Sequence, residues 1–276
     1  MSDEMDVVII KQYFPPAVKE IIGTGTFSYI GVVDESTVLK YPHVAGQDLE
    51  QQEIEIKLLE QVCPHPRIIQ LKGHSKSGIY LERATNGSLA EYLLEPDRPP
   101  SSISTQQRVS WCREAAEAVA HIHSRRVIHC NVSPLNLLLD QYLHVKLADF
   151  QGALVSEEGE ILLEGAAGDS TRYCLPRENT CIPEFQADIF ALGSTIYFIM
   201  MCHEIFPEID SDDVEEKFTQ KLFPQDTRAC GAVTLKCWMQ LYSSAEDVVV
   251  DLEAIEMALK DSMVDKEPLV VERRSD

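Results

Sequence analysis

The segment IIGTGTFSYIGVV places Gly23, Gly25 and Ser28 at G-x-G-x-x-S spacing. Glycines so placed let the main chain turn tightly and bring its N–H dipoles close to a phosphate, although the same pair also serves an ordinary hairpin. A dinucleotide site would need a helix directly after the glycines. Here β-branched and apolar residues run on into a second strand, which excludes that fold. Further along, TVLK sets Lys40 at the end of a strand, fifteen residues past Gly25, and Glu55 follows after another fifteen on an amphipathic stretch. A strand lysine taken alone is most often a solvated edge residue. The eight cysteines form no C-x-x-C pair and stand clear of histidines at zinc spacing, so they read as reduced, mostly buried thiols and not as metal ligands.

The elements that would position these residues follow from pattern. Residues 17–42 are β-branched and apolar, broken by Gly23, Gly25 and an Asp34-Glu35 turn, which predicts three consecutive antiparallel strands. In 48–62, Leu49, Ile56, Leu59 and Val62 recur at helical spacing, and Pro64 and Pro66 close the helix. RIIQLKGH and GIYLERA read as two more strands, completing a five-stranded sheet with one helix. After Asn86-Gly87 the pattern turns helical: LAEYLL, then 105–124 with Val109, Cys112, Ala116, Val119, Ala120 and His123 along one face. RRVIHCNVSPLNLLLD and HVKLADFQGA read as a loop, a short strand, a turn and another strand, and the apolar run 189–202 as a buried central helix. The expected class is α+β in two lobes: about 1–84, a connection at about 82–87, a mainly helical lobe at about 88–264, and a tail at 265–276.

Composition narrows the function classes. A chain of 276 residues, 45% hydrophobic and 25% charged, with 13 glycines and 14 prolines, is globular and not low-complexity. A formal charge of -21 repels nucleic acid and anionic membrane surfaces, so neither is an expected partner. The longest apolar run, 189–202, falls short of the roughly 20 residues that span a bilayer. The opening MSDEMD is acidic and no apolar core follows it, so the expectation is an intracellular protein, cytoplasmic with a nuclear place left open.

Taken together, the segments from about 17 to 255 resemble, in order and spacing, the eukaryotic protein-kinase family. IYLERATNGSLAEYLL is similar to its hinge, HCNVSPLNLLLD to its catalytic loop and ADFQGA to its metal-binding turn. STRYCLPRE resembles the end of its activation segment, and DIFALGSTIYFIM its central helix. The resemblance implies ATP and Mg2+ as cofactors and a protein as substrate or scaffold partner. It implies that Gly23, Gly25, Ser28 and Ile30 cover the nucleotide, and that Lys40 meets its phosphates while held by Glu55, with Glu53 as the rival partner. Val38 then stands where the family usually has alanine above the adenine, narrowing the pocket. Leu81 becomes the gatekeeper, the main chain of Glu82 and Ala84 meets the adenine edge, and Asn136 and Asp149 hold the metal through an amide and a carboxylate oxygen.

The departures from the family pattern bear on chemistry. Asn131 replaces the aspartate that accepts the substrate proton, and Ser133 replaces the lysine beside the transferred phosphate. An amide is no general base at neutral pH, and a hydroxyl cannot neutralise phosphoryl oxygens. Gln151 replaces the glycine of the metal-binding turn, with Gly152 placed to supply unusual backbone angles one residue later. Cys130 stands for the arginine that pairs with a phosphorylated activation segment, so a phosphate on Ser170 or Thr171 would lack that partner. Arg177 interrupts A-P-E, leaving Pro176 and Glu178 as an offset match. Asp188 fits the aspartate that braces the catalytic loop; its plain role is a helix N-cap, and one residue can fill both. The leading expectation is an ATP-binding kinase-like domain with phosphotransfer weakened or lost. A slow serine/threonine-type kinase is the enzyme alternative, and a small-molecule phosphotransferase of related fold the third.

Overall fold

A computed structural model describes residues 13–166 and 168–264. The first twelve residues, counted above with the first lobe, and the expected tail at 265–276 lie outside the described residues. β1 (Glu20–Thr24), β2 (Ser28–Val32), β3 (Thr37–Pro42), β4 (Leu71–Ser75) and β5 (Gly78–Glu82) form an antiparallel sheet in the order β1-β2-β3-β5-β4. Helix α1 (Leu49–Val62) packs on β4 and β5. Side chains alternate across a strand, so β3 sends Leu39 and Tyr41 to a small cluster with Val18, and turns Val38 and Lys40 to the other face.

The buried stripe of α1 is Ile54, Leu58, Leu59 and Val62, and it carries Glu55 inward with it. Leu49, expected on that face, is exposed, because at 100° per residue it falls on the far side of the stripe.

The chain crosses to the second lobe through Gly87 and Ser88, where Ser88 and Glu91 cap α2 (Leu89–Leu94) reciprocally. Helix α3 (Thr105–Ser124) is buried on two sides, with Trp111, Ala115, Ala118 and Ile122 joining the expected Val109, Cys112, Ala116 and Val119. It lies between α4 (Phe185–Met201) and α7 (Ala245–Val264), so the single face read from the sequence was too narrow. Helix α4 begins before the expected 189 and is buried from Ala187 to Met200. Helices α5 (Ser211–Thr219) and α6 (Gly231–Trp238) complete this lobe, α6 packing on α4.

Short strands deliver the loops of the cleft. β6 (Val127–Ile128) precedes the HCNVSPLN loop, and β7 (Leu137–Leu139) pairs with β8 (Val145–Leu147) to close it. β9 (Ala153–Val155) pairs with both β6 and β10 (Ile161–Glu164). β10 is exposed along most of its length, so no burial pattern announced it. No helix among the described residues is long and apolar enough to cross a membrane.

Candidate active site

The glycine turn between β1 and β2 is closed by the Gly25 N–H donating to Ser28 O at 2.7 Å. Gly23 and Gly25 are absent from the positive-φ positions, and a Cβ on either would meet nothing nearer than 3.4 Å and 3.6 Å respectively. The protein's own packing therefore does not require glycine there, which leaves that surface open to a ligand's close approach. Beneath it lies a cavity of about 330 Å³ reaching Gly25, Ser28, Lys40, Glu55, Asn131, Asp149 and Gln151.

Lys40 sits at the centre of this cavity's charge. Its Nζ is 2.6 Å from Glu55 Oε2 and 2.5 Å from Asp149 Oδ1, with side-chain exposures of 13%, 1% and 41%. The partner is Glu55, while Glu53 points to solvent. Burial works against the ammonium, yet the Glu55 and Asp149 carboxylates together hold the Lys40 pKa above its usual value. Burial likewise opposes the Asp149 charge, and Lys40 outweighs it, keeping that carboxyl below the usual carboxylate range. Asp149 adopts a left-handed φ of 66°, and the next side chain, Phe150, is fully buried edge-on to His129 at 5.2 Å. This anchor aims Asp149 into the cleft.

Gln151 makes contacts that its place in the sequence did not reveal. Its Nε2 donates to Glu55 Oε2 at 2.9 Å and lies 3.4 Å from Gln51 O. Gly152 supplies room and not unusual angles: it is not among the positive-φ glycines, and a Cβ on it would stand 2.0 Å from Ile128 O.

The loop from His129 to Asn136 is braced from α4. Asp188 accepts from the main-chain N–H of His129 at 2.7 Å and of Cys130 at 2.9 Å, and His123 Nε2 lies 2.9 Å from it. Asp188 does not cap its own helix, where the N-cap is Glu184 with no side-chain hydrogen bond. Asn131 reaches the cavity, and its carbonyl accepts from Asn136 Nδ2 at 2.9 Å. That bond occupies the amide's donor end and leaves the Asn136 carbonyl oxygen as the ligating end. An amide oxygen and a half-exposed carboxylate suit Mg2+, which takes one or two protein oxygens and completes its shell from phosphates and water. Ser133, in contrast, is 6% exposed and lies outside the cavity.

The residues expected to meet a base gather apart from that cavity. Val38 and Leu81 face each other across β3 and β5 at 6% and 5% exposure, and Ile30 packs against the same core. Glu82 donates its main-chain N–H to Gln70 O at 2.9 Å and joins its carboxylate to Lys146 at 3.0 Å, while Ala84 packs on the core edge. Neither they nor Gly23 and Asn136 line the cavity under the glycine turn.

Around the activation segment the expectations change. Burial, then the Asp188 charge, pushes the Cys130 thiol far up, so it stays neutral. Asp169 was not singled out in the sequence. One of its oxygens is buried without a partner, and burial, then Asp188, raises its pKa to about 8. Arg177 and not Glu178 makes the local brace, donating to the carbonyls of Asn179, Thr180 and Ile182, while Glu178 is exposed.

Comparison with known proteins points the same way. The family model described as "Protein kinase domain" matches residues 17–260. The chain is 28% identical over 200 residues to the serine/threonine-protein kinase GIN4 of Saccharomyces cerevisiae, covering 70% of this chain and 16% of that protein. It is 26% identical over 206 residues to CBL-interacting protein kinase 24 of Oryza sativa subsp. japonica, covering 72% of this chain and 43% of that one. It is also 29% identical over 219 residues to myosin light chain kinase A of Dictyostelium discoideum, covering 73% and 70%. The matched region is thus less than half the length of the first two relatives.

Proposed function

The chain belongs to the protein-kinase family, and we propose that it binds ATP with magnesium while transferring phosphate to protein weakly or not at all, serving as a scaffold or switch. The observation that carries this reading is the contrast within one cavity: Lys40 is paired with both Glu55 and Asp149, while Asn131 occupies the place of the base. Lys40 presents charge to the phosphates, and the glycine turn covers them. Asp149 and Asn136 would hold magnesium, which supplies charge neutralisation on the phosphate oxygens.

Chemistry is where the chain falls short. Asn131 offers no proton acceptor to a substrate hydroxyl, and positioned acid-base help is worth about 10²- to 10⁴-fold. The buried Ser133 brings no cation to the transferred group. A slow serine/threonine-type kinase remains the second reading, favoured by the assembled Lys40, Glu55 and Asp149.

A thermal-shift titration with ATP, with and without magnesium, tests the binding reading. Ligand at 100 times its dissociation constant adds about 2.7 kcal/mol of stability. No shift at millimolar ATP refutes it.

A further inference from the structure

We propose that Gln151 is a positioning residue: it clamps helix α1 to the turn that carries Asp149, and so keeps the Lys40–Glu55 pair assembled without an outside partner. Its Nε2 donates to Glu55 Oε2 at 2.9 Å and lies 3.4 Å from Gln51 O, one turn earlier on α1. Lys40 Nζ meets the same Glu55 oxygen at 2.6 Å. One carboxylate oxygen therefore receives an ammonium from β3 and an amide from the turn, and it ties three separate elements together.

The main chain at 151 has little room to withdraw. A Cβ on Gly165 would stand 2.2 Å from Gln151 O, so the segment after β10 lies directly against that carbonyl. The Gly165 N–H donates to Gly152 O at 2.8 Å, and Gly152 itself is pressed on Ile128 and His129. With its backbone held, the side chain's reach towards α1 is a fixed strut. A glycine at this position would carry no amide and would free the turn to rotate.

Glu55 needs every donor it has. It is 1% exposed, and its Oε1 is buried with no partner. A buried carboxylate that loses a donor is held less firmly, and the loss loosens the packing of α1 that keeps Glu55 on Lys40. The clamp itself is read from the geometry, and only the nucleotide arm of its test rests on the proposed function.

The experiment compares Gln151→Leu, Gln151→Gly and Gln151→Lys with the unmodified chain. Backbone hydrogen exchange across residues 54–62 is measured without nucleotide, and ATP affinity by calorimetry. Gln151→Leu keeps bulk and removes the amide, so exchange in α1 should rise about tenfold or more and ATP affinity fall about tenfold, in keeping with a lost hydrogen bond to a charged group. Gln151→Lys returns an N–H donor to Glu55 at similar reach. That variant should keep α1 exchange close to that of the unmodified protein. Unchanged α1 exchange in Gln151→Leu overturns the clamp, and this variant decides the matter even where Gln151→Gly fails to fold. A Gln151→Lys protein as loose as Gln151→Leu overturns it too, because packing alone would then explain the effect. If the unmodified chain binds no ATP, the proposed function falls, and the exchange comparison still decides the clamp.

Discussion

Asp188 Oδ1 accepts the main-chain N–H of Cys130 at 2.9 Å, joining the first turn of α4 to the loop that carries Asn131. The second oxygen takes the His129 N–H at 2.7 Å, so a single carboxylate fixes two consecutive peptide groups. Cys130 holds a left-handed φ of 60°, a conformation that an L-residue keeps only when its surroundings enforce it.

Asp188→Asn should loosen this loop. The amide has one acceptor oxygen, and its NH2 would face an N–H that it cannot satisfy. The expected loss is about 1–3 kcal/mol, the cost of leaving a buried donor unpaired. Urea unfolding checks it, and an unchanged midpoint would show that His123 or water can replace the brace.

Lys40→Met should remove ATP binding and also destabilise the fold. A strand lysine taken alone is most often solvated, but the Lys40 side chain is only 13% exposed and its partner Glu55 1%. Breaking a buried pair from one side costs about 3–5 kcal/mol. Burial already raises the Glu55 pKa, so without Lys40 the carboxyl takes up a proton more readily, and the variant should gain stability as pH falls. Adding Glu55→Gln should recover most of the loss without restoring ATP binding, as read by paired denaturation and calorimetry.

Asn131→Asp should restore a proton acceptor in the cavity with almost no change of shape. If nucleotide and metal are already placed, autophosphorylation or phosphorylation of a generic protein substrate should rise by about 10²-fold or more. Ser133→Lys is a poor companion change, because Ser133 is 6% exposed and a lysine there must first find a way out. ATP binding with activity still at background in Asn131→Asp would show that the block lies elsewhere in the cleft.

Asp169→Asn should stabilise the protein at pH 8 and leave it unchanged near pH 4. The Asp169 pKa is raised to about 8 by burial and by Asp188, well above the roughly 3.9 of an unfolded aspartate. Its contribution is therefore fully present below pH 4 and is lost as pH rises towards 8, where the folded state must carry a buried charge. Asparagine never ionises and should flatten that slope. Parallel pH-stability curves for the two proteins would refute the assignment.

The sequence alone determined the order of elements, the two-lobe α+β class, the hairpin bearing Gly23 and Gly25, and the placement of Lys40 on a strand and Glu55 on a helix. Those features are local: they follow from a period of two or of 3.6 residues and from the turns that interrupt it. Tertiary structure decided which helix carboxylate faces Lys40, because two positions along a helix differ by about 200° of rotation and only the stripe packed on β4 and β5 selects one. It also decided that Asp188 braces a loop and does not cap α4, that Ser133 is buried, and that Arg177 supports its segment in place of Glu178. The Lys40–Asp149 and Gln151–Glu55 contacts join residues 109 and 96 positions apart. No local periodicity encodes such a meeting, which exists only once sheet, helix and turn have packed around one buried carboxylate.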